Sequence, residues 1–151
     1  MHDRRVPGKH SNIDHLFVGA AGVFVIDAKH YKNAEVSVER SGGLFAPTVE
    51  TLKVKGRTRN ALVTAMQGQR DVVAHTLAGT AADGAPVKPV LCFVGAVLPM
   101  REKNRRVGDV RLCGLKGLAR LVSEEGPWDE GRRLDIARAL ADRLPSMTQG
   151  S

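Results

Sequence analysis

Residues 12–31, which read NIDHLFVGAAGVFVIDAKHY, contain two apolar runs separated by Gly19-Ala20-Ala21-Gly22. Glycine at both ends of a four-residue connection between β-branched and aromatic runs is typical of a β-hairpin. If those four residues form the loop, Asp14 lies opposite Asp27. Lys29 lies on the same side as Asp27 because side chains alternate along a strand. The hairpin is therefore predicted to bring two carboxylates and one ammonium together.

Two interpretations of this charged group are open. Both faces of the ribbon are otherwise largely apolar, as in strands that are covered on two sides, and an unpaired acid in such surroundings is costly. A metal ion or Lys29 would then hold the two acids. Alternatively, Asp14 and Asp27 end their strands in solvent, with Lys29 as a surface partner. A bulge would also change the register and move Asp14 away from Asp27.

The composition predicts a globular protein with a polyanionic partner. The chain has 151 residues, which fits a single domain over residues 1–151 with an ordered core at about 12–144 and flexible termini. A formal net charge of +7 favours nucleic acid as the partner. Aromatic residues make up only 4% of the chain, which argues against the base-stacking platforms of single-strand binders.

The cysteines and the apolar runs predict a soluble, cytoplasmic protein. Cys92 and Cys113 lie in strand-like runs and lack the close paired spacing of a zinc site, which suits a reducing compartment. The N-terminus has no apolar signal region. The longest apolar run, at residues 90–98, is far shorter than the roughly 18–20 residues of a membrane-spanning helix. A membrane partner is therefore not expected, and the oligomeric state is not specified.

The rest of the chain predicts one α/β sandwich in which strands come first and helices later. Strands are expected at residues 35–39, 44–45, 51–54, 89–94 and 110–113, and helices at 60–77, 115–122 and 130–144. The early strands have the pattern of an antiparallel meander. Asp129 is the expected N-cap of the last helix.

The helix predicted at residues 60–77 has an apolar stripe of Leu62, Met66, Val73 and Leu77. Gln69 interrupts this stripe where an apolar residue is expected. Either Gln69 lies at the edge of the buried face, or its amide points into a polar site beside the sheet. Glutamines at helix edges are common, so the spacing alone favours the edge position.

Asp14, followed thirteen residues later by Asp27-Ala28-Lys29, resembles the metal-binding signature of the restriction-endonuclease-like PD-(D/E)xK nucleases. The surrounding residues are more specific. RRVPGKHSNIDHLFVGAAGVFVIDAKHY, with the later LVTAMQGQRDVV, PVLCFVG and GLKGLARLV, resembles the bacterial form of the nuclease-related domain, NERD. The resemblance covers nearly the whole chain. It implies a restriction-endonuclease-like α/β fold whose central mixed sheet opens with an antiparallel meander and has helices on both faces.

The resemblance also implies roles for individual residues. Asp14 and Asp27 match the acids that ligate a divalent metal, and the Ala28 carbonyl is a further candidate ligand. Lys29 matches the lysine that acts near the attacking water, and Gln69 matches a glutamine on the helix after the sheet. The implied cofactor is Mg²⁺ or Mn²⁺, because these ions prefer hard oxygen ligands.

Other polar residues were assigned by their position relative to this group. His15 and His30 alternate onto the opposite face, so zinc is not expected. The basic residues predicted to bind backbone phosphates are Lys53, Lys55, Arg57 and Arg59.

Three functions follow as hypotheses. The first is a metal-dependent nuclease that hydrolyses phosphodiester bonds in DNA through Asp14, Asp27 and Lys29. The second is a catalytically degenerate module that only binds nucleic acid. Family members generally begin with a helix that carries an acidic residue, whereas this sequence begins at Met1 close to the first strand. Either the start of the sequence was assigned too late, or the helix and its acidic residue are missing, which motivates the second hypothesis. The third is an interaction domain without a nucleic-acid role.

Overall fold

A computed structural model describes residues 2–5 and 12–144 of the chain. The strands are β1 His2–Arg5, β2 Asn12–Gly19, β3 Gly22–His30, β4 Val36–Ser41, β5 Val49–Val54, β6 Arg57–Thr58, β7 Val87–Val94, β8 Arg106–Val107 and β9 Val110–Cys113. The helices are α1 Asn60–Leu77, α2 Leu115–Val122 and α3 Glu130–Arg143. Strand β1 lies before the core predicted from the sequence. The rest of the termini predicted to be flexible falls outside the described residues.

Six strands form the central sheet in the order β1-β2-β3-β7-β9-β8. The first three are antiparallel, β7 is parallel to both β3 and β9, and β8 returns antiparallel to β9. Helices α1 and α3 pack on one face and α2 packs on the other. The predicted mixed sheet with helices on both faces is therefore confirmed.

The β2–β3 hairpin has the predicted register but a shorter loop. Val18 pairs with Val23 as expected, and Gly19 and Gly22 are themselves paired. The turn is therefore the two residues Ala20-Ala21 rather than all four. Gly22 has a φ of +151°, and a Cβ there would lie 2.8 Å from the Pro86 carbonyl oxygen. Glycine is required at this position because the segment before β7 passes so close.

The Ala20-Ala21 turn is also contacted by the segment that contains Gly126 and Trp128, in the C-terminal half of the chain. The Trp128 N–H donates a hydrogen bond of 3.1 Å to the Ala20 carbonyl. Gly126 lies directly against the turn, and a Cβ on it would lie 2.5 Å from the Ala21 Cα. Since real Cβ atoms do not approach backbone atoms so closely, an alanine here must displace one segment from the other.

We expect Gly126→Ala to lower the free energy of unfolding by about 1–3 kcal/mol because of this overlap. The matched control is Gly68→Ala, which lies within α1 and has open space within 4 Å of its Cβ position. That substitution is expected to stabilise the protein by about 0.5–1 kcal/mol, since alanine favours helix over glycine. Urea unfolding of both variants measures the difference. Equal effects of the two alanines would contradict the close packing of Gly126.

Strands β4, β5 and β6 form a separate small antiparallel sheet and do not extend the central one. Leu52 and Val54 on β5 are buried in the main core. The Leu52 N–H donates a hydrogen bond of 2.8 Å to the Asn60 Oδ1 at the start of α1. The strand predicted at residues 44–45 is wrong. Leu44 and Phe45 instead form the exposed tip of the loop between β4 and β5.

Two apolar clusters mark the two faces of the central sheet. The larger one lies under α1 and α3 and includes Val25, Leu91 and Phe93 from the sheet. The smaller one lies under α2. Its fully or nearly buried members are Phe24, Ile26, Val90, Cys92 and Cys113. Each strand of the sheet centre is therefore covered on both sides, as its continuous apolar sequence predicts.

The two cysteines are neighbours in the smaller cluster. Cys92 on β7 pairs with Cys113 on β9, and both are buried free thiols. Burial raises the pKa of Cys92, and burial together with the adjacent Cys92 raises the pKa of Cys113 to about 12. Thiols in this state are poor nucleophiles, so these side chains act as apolar packing.

Candidate metal centre

Strand β3 changes from apolar to charged as it reaches its carboxyl end. Its residues are buried from Gly22 to Asp27, and exposure begins at Ala28. Asp27 is 8% exposed, and among the described residues it is the charged residue that is buried. The Lys29 Nζ lies 3.0 Å from the Asp27 Oδ2, and the lysine side chain is 33% exposed. The acid therefore lies inside the protein, and the lysine reaches it from the surface.

The parallel pairing with β7 shows which face these side chains occupy. Asp27 pairs with Leu91 and Lys29 pairs with Phe93. Leu91 and Phe93 belong to the larger cluster, so Asp27 and Lys29 face the layer covered by α1 and α3. His15 pairs with Ile26, which belongs to the smaller cluster on the other face. The histidine next to Asp14 in sequence therefore lies opposite a residue of the other apolar layer.

Asp14 lies beside Asp27, although the described ladder between β2 and β3 runs only from Gly19–Gly22 to His15–Ile26. Burial raises the pKa of the Asp14 carboxyl, and the neighbouring Asp27 carboxyl raises it further. His15 and Lys29 act in the opposite direction. The hairpin thus brings Asp14, Asp27 and Lys29 together, and the two acids repel each other when both are ionised.

Two buried oxygen atoms near the helix-covered face have no hydrogen-bond partner in the described part of the chain. They are the Asp27 Oδ1 and the Gln69 Oε1. Gln69 lies on α1 between Met66 and Val73, both fully buried against the sheet. Its side chain is half-buried with the amide oxygen inside the protein. A buried acceptor without a donor is costly, so both oxygens are suited to accept a ligand.

The apolar stripe of α1 agrees with the predicted one at three of its four residues. Met66, Val73 and Leu77 are buried as expected, but Val63 is buried in place of Leu62, which is half-buried. The helix bounds agree with the prediction at both ends.

The chemistry of these donors fits a hard divalent cation. Asp14 and Asp27 supply carboxylate oxygens, which Mg²⁺ and Mn²⁺ prefer, and the amide oxygen of Gln69 is a further candidate. Ala28 pairs with Cys92 on β7 and lies two residues past the last β2–β3 pair, so its carbonyl remains a candidate ligand. Within residues 2–5 and 12–144, no group of three or more His, Cys, Asp or Glu side chains is placed to hold a metal. Two carboxylates plus water are a usual Mg²⁺ environment.

We expect the stability difference between Asp14→Asn and the wild type to depend on pH. The folded-state pKa of Asp14 is raised above its ordinary value of 3.8, so the unfolded chain loses this proton first as the pH rises. The wild type therefore loses stability from that value up to the raised pKa. In EDTA the free energy of unfolding of the variant should therefore rise relative to that of the wild type as the pH increases from below 3.8 to above the raised pKa. Urea unfolding measures this, and a constant difference would contradict the shift.

The four predicted phosphate-binding residues surround the β5–β6 hairpin. Lys55 and Gly56 form its two-residue turn, with φ values of 52° and 72° that suit the right-handed strand twist. Lys53 lies 3.7 Å from Glu39 on β4, and Arg59 precedes α1. Arg57 and Lys55 are exposed. Because side chains alternate along a strand, Lys53 and Arg57 lie on opposite faces of the hairpin, with Lys55 at its turn.

Sequence reasoning missed one neighbour of the candidate centre. The Tyr31 ring packs against Phe93 with centroids 6.1 Å apart, and Phe93 is the β7 partner of Lys29. Its spacing of two residues from Lys29 was the available signal, since residues at this interval share a face of a strand.

The fold and this group of side chains define a class of protein. A mixed sheet with helices on both faces, whose central hairpin carries an acid opposite an acid-x-lysine triplet, is restriction-endonuclease-like. A comparison with protein-family models matches residues 1–94 to the nuclease-related domain, NERD. The chain belongs to this family. The match ends with the last residue of β7, so it includes both acids, Lys29 and Gln69.

The other comparisons add no named relative. No match was found among curated proteins or among solved structures. Family membership implies a nuclease-related function and a nucleic-acid substrate. None of the helices in the described part of the chain is long and apolar enough to cross a membrane.

Proposed function

We propose that the protein is a cytoplasmic, metal-dependent nuclease that hydrolyses phosphodiester bonds in DNA. The observation that carries the proposal is the meeting of Asp14, Asp27 and Lys29 on the helix-covered face of the β2–β3 hairpin. A purely structural ion pair would need one acid for one lysine. The second carboxylate raises the electrostatic cost, which a divalent cation removes.

Asp14 and Asp27 would hold Mg²⁺ or Mn²⁺, with the Ala28 carbonyl and Gln69 Oε1 as further oxygen donors. The bound ion supplies Lewis-acid activation of the attacking water and of the scissile phosphate. The Asp27 Oδ1 has no partner in the described residues, so it is free to accept a ligand without breaking the 3.0 Å contact from Oδ2 to Lys29. The buried carboxylate therefore serves two cations at once.

Lys29 would stabilise negative charge on the phosphate. Its Nζ is fixed by Asp27, and about a third of its side chain is exposed, so it faces the surface where a substrate arrives. A donor held in place before the reaction stabilises the developing charge without having to reorganise. The cations of the β5–β6 hairpin would supply contacts to the phosphate backbone that do not depend on base sequence.

A second candidate function is a degenerate nuclease fold that only binds nucleic acid. It is favoured by one observation: in the described part of the chain only two acidic side chains meet at this centre, and no third acid joins them. The basic β5–β6 hairpin would bind nucleic acid equally well with or without cleavage.

Plasmid nicking separates the two functions. The wild type is expected to nick supercoiled DNA in Mg²⁺ or Mn²⁺ and to be inactive in EDTA. Lys29→Met should slow cleavage by about 100-fold to 1,000-fold, because it removes one donor that acts on the transition state. Lys116→Met, on exposed α2, is the matched control and should be unaffected. Intact DNA in every metal, with a retained gel shift, would instead support the binding module.

A further inference from the structure

The loop between β4 and β5 carries an exposed apolar pair at its tip. Leu44 is 91% exposed and Phe45 is fully exposed. The Gly43 N–H donates a hydrogen bond of 2.8 Å to the Ala46 carbonyl, which closes the loop around these two residues. Because the closing bond joins the residues on either side, the pair is held away from the body of the protein.

The base of this loop is built for a tight bend. Gly42 and Gly43 have φ values of 82° and 108°, which favour glycine. A Cβ on Gly42 would collide with the Pro47 carbonyl oxygen on the other side of the loop. The two sides of the loop are therefore in close contact, and the tip is a defined projection. We call Leu44 and Phe45, in this conformation, the apolar tip.

The sheet that carries the apolar tip is basic. Residues 36–59 contain five Lys or Arg against two Glu. Arg40 pairs with Glu50, and Lys53 lies near Glu39, at 3.5 and 3.7 Å. Within the described residues, Lys55 and Arg57 have no acidic partner within salt-bridge distance, and both are exposed. The charge left over on this sheet complements a polyanion.

The dimensions of the small sheet suit a nucleic acid that lies along it. The turn at Lys55 and the apolar tip are at opposite ends of β5, whose six residues span about 20 Å at roughly 3.3 Å per residue. Unpaired bases stack on aromatic side chains, and apolar side chains also enter gaps between bases. Two apolar side chains give little area for insertion into a lipid bilayer.

We propose that the apolar tip contacts unpaired bases, with Phe45 stacking on one base and Leu44 packing beside it. The protein then prefers single-stranded or locally unpaired nucleic acid to an intact duplex, while the basic turn holds the backbone of either. This is one stacking contact rather than a platform, in keeping with the low aromatic content. The inference names the substrate class and rests on the proposed function.

Fluorescence anisotropy in EDTA tests the inference without cleavage. The 151-residue chain is titrated into a labelled single-stranded oligonucleotide and into the same strand fully paired, at about 0.1 M salt. Phe45→Ser should weaken single-strand binding by about fivefold to 100-fold and duplex binding by less than about twofold. Leu115→Ser, which removes an exposed leucine from α2, is the control and should change neither. Lys55→Ala should weaken binding to the single strand and to the duplex by the same factor.

Three outcomes would overturn the inference. The first is that Phe45→Ser and Leu115→Ser bind the single strand with equal affinity. Another is an equal loss on single strand and duplex. A third is that Phe45→Ser loses binding to vesicles of phosphatidylcholine and phosphatidylserine while its single-strand affinity is unchanged. Phe45 is fully exposed, so its variant should melt at the wild-type temperature.

The two proposals fail in different ways. If the wild type nicks DNA and Phe45→Ser binds as the wild type does, the apolar-tip inference is wrong and the nuclease proposal stands. If single-strand binding depends on Phe45 but no metal supports cleavage, the nuclease proposal is wrong and the apolar tip stands.

Discussion

Replacing Asp27 with asparagine is expected to slow Mn²⁺-dependent DNA cleavage by about 100-fold to 1,000-fold. A bound metal contributes several kcal/mol of charge stabilisation, and each ~1.4 kcal/mol is a tenfold change in rate. Asp27 is 8% exposed, lies beside Asp14, and holds Lys29 at 3.0 Å. The asparagine keeps the shape of the side chain but removes its charge, so both the metal and the lysine lose their common partner.

The matched control is Asp135→Asn, since Asp135 is an exposed aspartate on α3. Its cleavage rate should equal that of the wild type. Single-turnover cleavage of a labelled plasmid at saturating protein measures the chemical step apart from DNA binding. A rate for Asp27→Asn within about threefold of the wild type would exclude Asp27 from the reaction. A gel shift that is retained in the inactive variant would show that binding and cleavage are separate.

Replacing Phe93 with alanine is expected to lower the free energy of unfolding by about 3–5 kcal/mol. Phe93 on β7 is 1% exposed, contacts the Tyr31 ring and belongs to the larger apolar cluster beneath α1 and α3. The loss combines the transfer of apolar surface to water with the cavity that remains. Native domains are stable by only about 5–15 kcal/mol, so the loss is a large share of the total.

Leu115→Ala is the control for this substitution, because Leu115 is 62% exposed on α2. Its free energy of unfolding should change by no more than about 0.5 kcal/mol. Urea unfolding at neutral pH measures both variants. A loss below about 1 kcal/mol in Phe93→Ala would contradict the packing of the layer that Lys29 and Asp27 face.

The parts of the fold that the sequence predicted correctly depend on local signals. The register of β2 and β3 follows from the glycine-bracketed turn between two apolar runs. The bounds of α1 follow from a 3.6-residue pattern that ends before Gly79. Since the turn sets which residues pair, the position of Asp14 beside Asp27 follows from counting back from the turn along both strands.

The parts that the sequence did not predict depend on distant partners. Strands β4 and β5 have ordinary strand patterns. Such patterns do not specify that the two strands pair with each other and contact the start of α1, rather than pairing with β3. Residues 44–45 resemble a strand because they are apolar, but the positive φ angles of Gly42 and Gly43 turn them into a loop tip. The burial of the Gln69 amide oxygen depends on how α1 packs against the sheet, which the spacing of residues in the sequence does not specify.

The central claim is that Asp14 and Asp27 together hold one divalent cation, and Mn²⁺ titration by isothermal calorimetry tests it most directly. The account predicts one Mn²⁺ per wild-type chain and loss of that binding in the Asp14→Asn/Asp27→Asn double variant, while Asp135→Asn binds as the wild type does. Mn²⁺ binding of equal affinity in the double variant, or no binding to the wild type at millimolar Mn²⁺, would contradict it.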